Sequence, residues 1–591
     1  MWPCCKKYLQ NLLNCEVSSC NVYRKNQPAE SGNISQWTLP GVGSKEYEIR
    51  QLLRPGIMLR EVQSDIISAL GQVASNCLVV LPAASGKTLI AAAMMASESS
   101  HGKTVLLAPT VPLVNQHLKY VSSVVKEKSI AAVTGKVPMH KREAVYSAAN
   151  VIIATPESLR NDIISGTFDI RKAALVIIDE CHRAVGNYAY VDIANFCRAA
   201  GTRIIGMTAT PGSSKEVVSG LLNTISADTV MAISKSDPRL SSQAQDRVVN
   251  TVTIPRDPRI TDISKHMRTL AYKKLCGLDE SGIAYANKLC AMIFYGRSAS
   301  LSQVEKHRLG VEIENVYKNR ERLCMRTVSD SDPGSAANAE AALRRIRGER
   351  FASIRKYVML LHAMHCYDLI ETQGLAPFLE YLKEKRESHK KSLSLSEFLK
   401  DSHVAAASTM ATQMLEAGCE HPKYQHLTSI INENPRDSII VFCDYRSTAS
   451  NIASRLNSLG IPSSVFMGER TSKGLARNID SLNAFSEKRI RVLISTSIGE
   501  EGTDIPVADT VVCFSPPPMA GRKGQQEGRV GRVKPGKVFI LKSEGTRDDK
   551  YFAASKWGQV HMEKVIREIK DITRHLGDKP RYEQLSLWKE G

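Results

Sequence analysis

The chain has no run of apolar residues approaching the roughly 18 to 20 needed to cross a bilayer, and Met1–Gln10 lacks the apolar stretch of a signal peptide. Both absences argue against a membrane or secreted protein and set the expectation of a soluble, intracellular chain. Paired C-x-x-C spacing is missing as well. Cys4, Cys5, Cys15 and Cys20 cluster at intervals that match no zinc site, whereas Cys77, Cys290, Cys443 and Cys513 sit in apolar segments, as reduced small hydrophobes would. Acidic residues are in deficit: 60 Asp and Glu against 79 Lys and Arg leave a formal charge of +19, for which a polyanion is the simplest partner. At 591 residues the chain is too long for one core and suggests about three to four domains, with 43% apolar residues to fill them.

What is present organises around Val79-Val-Leu-Pro-Ala-Ala-Ser-Gly-Lys-Thr-Leu-Ile90, an apolar strand running through Gly-Lys-Thr into an Ala- and Met-rich helix. This reads as a phosphate loop: backbone N–H groups from Ala84, Ser85 and Gly86 to Thr88 face the phosphates, Lys87 reaches the β- and γ-phosphates of ATP, and the Thr88 hydroxyl takes Mg2+. The first glycine of the usual G-x-x-x-x-G-K-[ST] pattern is absent, Leu81 standing in its place. Further on, Leu175-Val-Ile-Ile-Asp-Glu-Cys-His182 is a buried-type strand ending in adjacent carboxylates, suited to hold the metal through Asp179 and to polarise water through Glu180. Upstream, Gln63 lies where an amide could hydrogen-bond the edge of an adenine.

In chain order, residues 1–57 are polar and aperiodic, a leader expected to be poorly ordered. Short apolar runs then alternate with helical segments over 58–255, which predicts a parallel sheet covered on both faces. Ligands of such sheets sit at the carboxyl ends of strands, where the phosphate loop, Thr110, Asp179-Glu180 and Thr208-Ala-Thr210 all fall. Residues 256–420 have helical texture with no clear strand; their 26 Lys and Arg against 21 Asp and Glu leave +5, so clusters such as Arg344-Arg-Ile-Arg347 read as well as solvated helix faces as they do as a nucleic-acid surface. Alternation resumes over 421–545, a second α/β sheet without a phosphate loop but with Gly524-Gln-Gln-Glu-Gly-Arg-Val-Gly-Arg532. Residues 546–591 read as a charged helical tail.

Together these residues resemble, in order, the motifs of a superfamily-two helicase: Ala83–Thr88, Ala108-Pro-Thr110, Ala154-Thr-Pro-Glu157, Asp179–His182, Thr208–Thr210, Val441–Arg446, Thr496 with Glu500-Glu-Gly-Thr-Asp-Ile505, and Gln525–Arg532. Asp179–Tyr190, Leu369-Ile-Glu-Thr-Gln-Gly374 and His421-Pro-Lys423 are similar to the archaeal Hef and Fanconi-anaemia group M family in particular. The resemblance implies an α/β fold of two RecA-like parallel-sheet domains with an α-helical insertion between them, and ATP-driven remodelling of forked or four-way DNA, the insertion gripping the duplex. It implies ATP contacts from Gly502 and Asp504, catalytic roles for Lys87, Asp179, Glu180, Gln525, Arg529 and Arg532, and backbone contacts to nucleic acid from Thr110, Thr155, Arg446 and Thr496. Ala83-Ala84, Cys181 and Gln526-Glu527 depart from the usual family residues, and neither a nuclease signature nor a helix-hairpin-helix tail is found, which suggests the helicase portion alone. A separate structure-specific nuclease as partner, a duplex-RNA-stimulated ATPase, and a catalytically weak DNA-binding scaffold are the readings beside it. The compartment expected is nuclear in a eukaryote and cytoplasmic in an archaeon.

Overall fold

The computed structural model describes residues 44–577 apart from 83–84, 127–128, 234–236, 238, 240–246, 281–282, 287–302, 330–332, 389–391, 468–471, 497–505, 518–525 and 527–535. Thirteen strands appear among the described residues, in two wholly parallel sheets. The first contains β1 (Cys77–Val80), β2 (Lys103–Leu107), β3 (Ile130–Val133), β4 (Val151–Ala154), β5 (Ala173–Asp179), β6 (Arg203–Thr208) and β7 (Thr229–Ala232), in the order β3-β4-β2-β5-β6-β1-β7. β8 (Arg247–Ile254), β9 (Ile439–Cys443), β10 (Ser463–Phe466), β11 (Val492–Thr496), β12 (Thr510–Cys513) and β13 (Gly536–Ser543) form the second, in the order β10-β11-β9-β12-β13-β8. Successive side chains of a strand point to opposite faces, and both faces are packed: Leu78 and Val80 enter one core while Cys77, Val79 and Leu81 enter another. This is why the strands read as continuous apolar runs rather than alternating ones.

The order of the elements corrects two boundaries drawn from the sequence, at residues 247–254 and 44–57, and gives the expected helical tail a partner. Arg247–Ile254 falls inside the expected first domain, yet it pairs along its whole length with Gly536–Ser543 and closes the edge of the second sheet. The leader expected over 1–57 ends in an ordered segment: helix Ser44–Leu52 buries Ile49, and Leu53 follows it into the first core. Burying such a side chain contributes about 1.5–3 kcal/mol, enough to fix the segment. The expected C-terminal tail is one long helix, Arg547–Gly577, which starts against the second sheet and reaches back to the first domain, where Val565 is buried and Glu568 pairs with Lys215 at 3.0 Å.

Between β8 and β9 lies the helical insertion. Its first helix, Pro258–Asp279, starts as local chemistry dictates: the Asp257 carboxylate accepts from Arg259 N, and Pro258 occupies a first-turn position where no N–H is needed. Long helices Gln303–Ser329 and Pro333–Thr372 pack with it around Leu270, Leu275, Tyr317, Met364 and Ile370. None of the helices among the described residues is long and apolar enough to cross a membrane.

The insertion is fastened to the second sheet by a buried polar hub. Lys423, fully buried, donates to the Asp548 carboxylate at 2.5 Å and to the carbonyls of Thr372 and Phe514 at 3.0 and 2.9 Å. The Gln373 amide donates to Ser515 Oγ and accepts from Thr448 Oγ1, while Arg547 pairs with Asp368 and Asp444. Burial pushes the Lys423 ammonium below the ordinary lysine range, against the pull of Asp548. One end of the insertion's longest helix is thereby tied to the loops that follow β9 and β12. Because removing one partner strands the other charge in the core, Lys423→Met should cost about 3–5 kcal/mol. Lys423→Met with Asp548→Leu should recover most of that loss, as read by urea unfolding followed through tryptophan fluorescence.

Candidate active site at the carboxyl edge of the first sheet

The phosphate loop leaves β1 and enters helix Lys87–Glu98 through Gly86, whose φ of 84° lies in the left-handed region. A side chain there would be strained and would also collide: a Cβ would stand 2.1 Å from Gln63 Nε2. Gln63 is buried and clamps the loop, its Nε2 donating to the Ser85 carbonyl at 3.0 Å while its Oε1 accepts from Arg60 N at 3.0 Å. Ser85 Oγ donates to the Pro82 carbonyl at 2.8 Å. Lys87 folds back onto the loop, donating to the carbonyls of Leu81 and Pro82 at 3.2 and 3.3 Å. Its ammonium is therefore held by two neutral acceptors that a phosphate would readily replace.

Two strand positions away in the sheet, beyond β6, β5 delivers Asp179 and Glu180. Burial pushes the Asp179 carboxyl up, but the hydrogen bond and charge of His117, the Lys87 ammonium and the Glu180 N–H outweigh it and hold the carboxyl below the ordinary aspartate range. Each oxygen has its own donor: Oδ1 takes Glu180 N at 3.0 Å and Oδ2 takes His117 Nε2 at 3.0 Å. Tyr190, fully buried, donates its hydroxyl to the Asp179 carbonyl at 2.8 Å, so the backbone is fixed too. Glu180 turns the chain at φ 49°, a conformation that costs a non-glycine residue roughly 1–2 kcal/mol and concentrates at functional sites. Its Oε2 is buried without a hydrogen bond, although His182 Nδ1 lies 3.3 Å away. His182 Nδ1 is also 2.9 Å from Thr208 Oγ1, which accepts from Thr210 N at 3.0 Å, linking the ends of β5 and β6. An ionised, oriented aspartate beside a lysine, with an unsatisfied glutamate oxygen next to it, fits a divalent cation and a polarised water better than it fits a packed core.

Comparison with known proteins agrees with this arrangement. Residues 60–217 match the DEAD/DEAH box helicase family and residues 422–534 the helicase conserved C-terminal domain. The chain is 31% identical to the Hef helicase domain of Pyrococcus furiosus, a crystal structure of which it covers 98%, with 84% of its own length aligned and a TM-score of 0.57. It belongs to the Hef and Fanconi-anaemia group M family of superfamily-two helicases. Curated relatives include the ATP-dependent DNA helicase mph1 of Neurospora crassa, 29% identical over 546 residues that make up 88% of this chain and 44% of that protein. Another is the DEAD-box ATP-dependent RNA helicase FANCM of Arabidopsis thaliana, 26% identical over 505 residues, 82% of this chain and 35% of that protein. The chain spans about half the length of the curated relatives it matches.

Within this helicase framework the structure places some expected residues and redirects others. Lys87, Asp179 and Glu180 meet at the carboxyl edge of the first sheet, and Thr88 follows Lys87 in the first turn of its helix. Both ends of the Gln63 amide are engaged: Nε2 donates to the Ser85 carbonyl of the loop and Oε1 accepts from Arg60 N at the start of its own helix, so the side chain braces the loop. Thr110 caps helix Val111–Val124 through Leu113 N at 3.4 Å, and Thr155 precedes helix Pro156–Ile164 with its hydroxyl turned to Ser158 Oγ at 2.9 Å. Arg446 opens the helix after β9, and Thr496 ends β11. Ala84, Gly502, Asp504, Gln525, Arg529 and Arg532 lie outside the described residues. Gln526 is described; it is buried, and its Oε1 accepts from Cys513 Sγ at 3.0 Å.

The departure at Cys181 is explained by its neighbour. Cys181 is fully buried, and its sulfur lies against Gly206 of β6, where a Cβ would meet Cys181 Sγ at 3.1 Å and Ile225 Cδ1 at 2.7 Å. A glycine on the next strand makes room for the sulfur. Sequence reading missed His117 and Tyr190 as parts of the site; the only trace of the former is a histidine on the apolar stripe Val114, His117, Val121, Val124. At the loop, Gly86→Ala combines backbone strain of about 1–2 kcal/mol with the collision at Gln63, so it should weaken a fluorescent adenine nucleotide by about tenfold or more. Adding Gln63→Ala should restore only part of the affinity, since the strain stays.

Proposed function

We propose that this chain is an ATP-dependent DNA translocase that remodels branched duplexes such as forks and four-way junctions in DNA repair. The observation that carries the reading is the Asp179-Glu180 pair: a carboxylate kept ionised next to the phosphate-loop lysine, followed by a glutamate with a buried, unsatisfied oxygen. In this reading ATP sits against the phosphate loop, with Lys87 turning from the loop carbonyls to the β- and γ-phosphates. Thr88 and Asp179 would hold Mg2+, which supplies neutralisation of charge on the phosphates when bound. Glu180 orients the attacking water. Arg529 and Arg532, with Gln525, Gly502 and Asp504, are assigned to the second domain's share of the nucleotide site, so that hydrolysis requires the two sheets to close on it; arginines supplied this way contribute about 10³ to 10⁵ in rate.

Nucleic acid is assigned to the N-terminal ends of the helices that follow Thr110 and Thr155 and to Arg446 and Thr496, groups suited to backbone phosphates rather than bases. Support for DNA comes from the relatives named as DNA helicases and from the Hef helicase domain, and the net charge of +19 suits any polyanion. Structure-selective and salt-sensitive binding follows from backbone contacts.

The test is the steady-state ATPase rate with no polymer, linear duplex DNA, a four-way DNA junction or duplex RNA, with Lys87→Ala as blank. Greatest stimulation by the junction is expected; greatest stimulation by RNA, or rates equal to the blank with every polymer, would overturn the reading. Arg532→Ala should abolish hydrolysis while leaving ATP binding nearly intact. Glu180→Gln should lower kcat by about 10² to 10⁴ with nucleotide affinity retained.

A further inference from the structure

Helix Val111–Val124 connects two parts of the molecule that no motif joins. Its N-terminus, capped by Thr110 and stiffened by Pro112, lies at the carboxyl edge of the first sheet; two turns along, about 10 Å by helical rise, its apolar stripe carries His117. Val114, Val121 and Val124 on the same stripe are buried in the core. His117 is only 5% exposed, and its Nδ1 is buried with no hydrogen-bond partner. A leucine would fill that position without leaving a polar atom unsatisfied in the core. What the imidazole does that a leucine cannot is donate Nε2–H to Asp179 Oδ2 at 3.0 Å. The other oxygen of that carboxylate is fixed by the backbone of Glu180, so His117 is the group that sets the rotation of the carboxylate about its own axis.

We propose that His117 is a positioning residue that orients the Asp179 carboxylate for its metal and makes that orientation respond to nucleic acid bound at the start of helix Val111–Val124. The inference rests on the reading above, in which Asp179 holds Mg2+ and the Thr110 end of the helix meets the nucleic-acid backbone. A small shift of a rigid, well-packed helix moves His117 as a unit with its N-terminus, and the hydrogen bond passes that shift to Asp179. Groups that orient a metal ligand in this way are worth about 10- to 100-fold in metal affinity.

The test is an equilibrium titration of Mg2+ on the full chain, read by binding of a fluorescent ADP analogue, with and without a four-way DNA junction. In the wild type, the junction is expected to lower the half-saturating Mg2+ concentration. His117→Leu, which keeps the volume and removes the donor, should raise it by about 10- to 100-fold and make it insensitive to the junction. His117→Gln, whose Nε2 has a reach similar to that of the imidazole Nε2, should return it to within a few-fold of wild type. Wild-type Mg2+ dependence in His117→Leu would overturn the proposal, and so would a Gln variant as impaired as the Leu variant, which would indicate packing alone. If wild type binds no nucleic acid, the functional reading fails, and an unchanged or raised Mg2+ requirement in His117→Leu without DNA still decides the positioning role.

Discussion

A carboxylate buried at the end of a parallel strand must be solvated by the protein, and the phosphate site is built around doing this for Asp179. Burial alone would favour the neutral acid; the His117 donor, the Glu180 N–H and the nearby Lys87 charge reverse that preference. Much of the surrounding architecture follows. Tyr190 pins the Asp179 carbonyl, the left-handed turn at Glu180 brings the next carboxylate alongside, and Gly206 clears space for the residue after it. The phosphate loop has its own brace in Gln63, which occupies the space that Gly86 leaves empty. The pieces are held by hydrogen bonds to backbone, so the site is shaped before any nucleotide arrives.

The second organising feature is the polar hub beneath the insertion. Two stretches far apart in sequence, Leu369–Gly374 and His421–Lys423, meet there with Arg547 and Asp548 at the start of the last helix. Glu420 extends the hub by accepting from Leu375 N and Ala376 N, the first turn of the next insertion helix. Removing one partner of charges buried this deeply strands the other, so the hub ties insertion and second sheet together in one arrangement. The last helix then returns from the hub to pack on the first domain, a non-covalent link between the sheets in addition to the chain connection through β8.

Most of the sheet was legible because strands buried on both faces are uninterrupted apolar runs, and the phosphate loop and Asp179-Glu180 are local signals at their ends. Pairing partners were not legible. Arg247–Ile254 has the β-branched residues of a strand, but nothing in those eight residues says that its neighbour is Gly536–Ser543. Burial of polar residues was not legible either: Lys423, Asp548 and Arg547 find their partners far away in the chain, and nothing local shows it. An amide upstream of a phosphate loop can face either the base or the loop, and sequence does not say which; the Gln63 amide donates to the Ser85 carbonyl. His117 gave the weakest signal, one imidazole on an apolar helical stripe, because its meaning lies in Asp179 on another element.

In the proposed function the two sheets and the insertion convert ATP hydrolysis into movement of a branched DNA. The most direct measurement is branch migration of a fluorescently labelled four-way DNA junction by the full chain, with ATP, with a non-hydrolysable analogue, and with Lys87→Ala in place of wild type. Conversion to linear products is expected with ATP and wild type alone. Conversion that proceeds equally with the analogue, or none with ATP while hydrolysis is rapid, would contradict it.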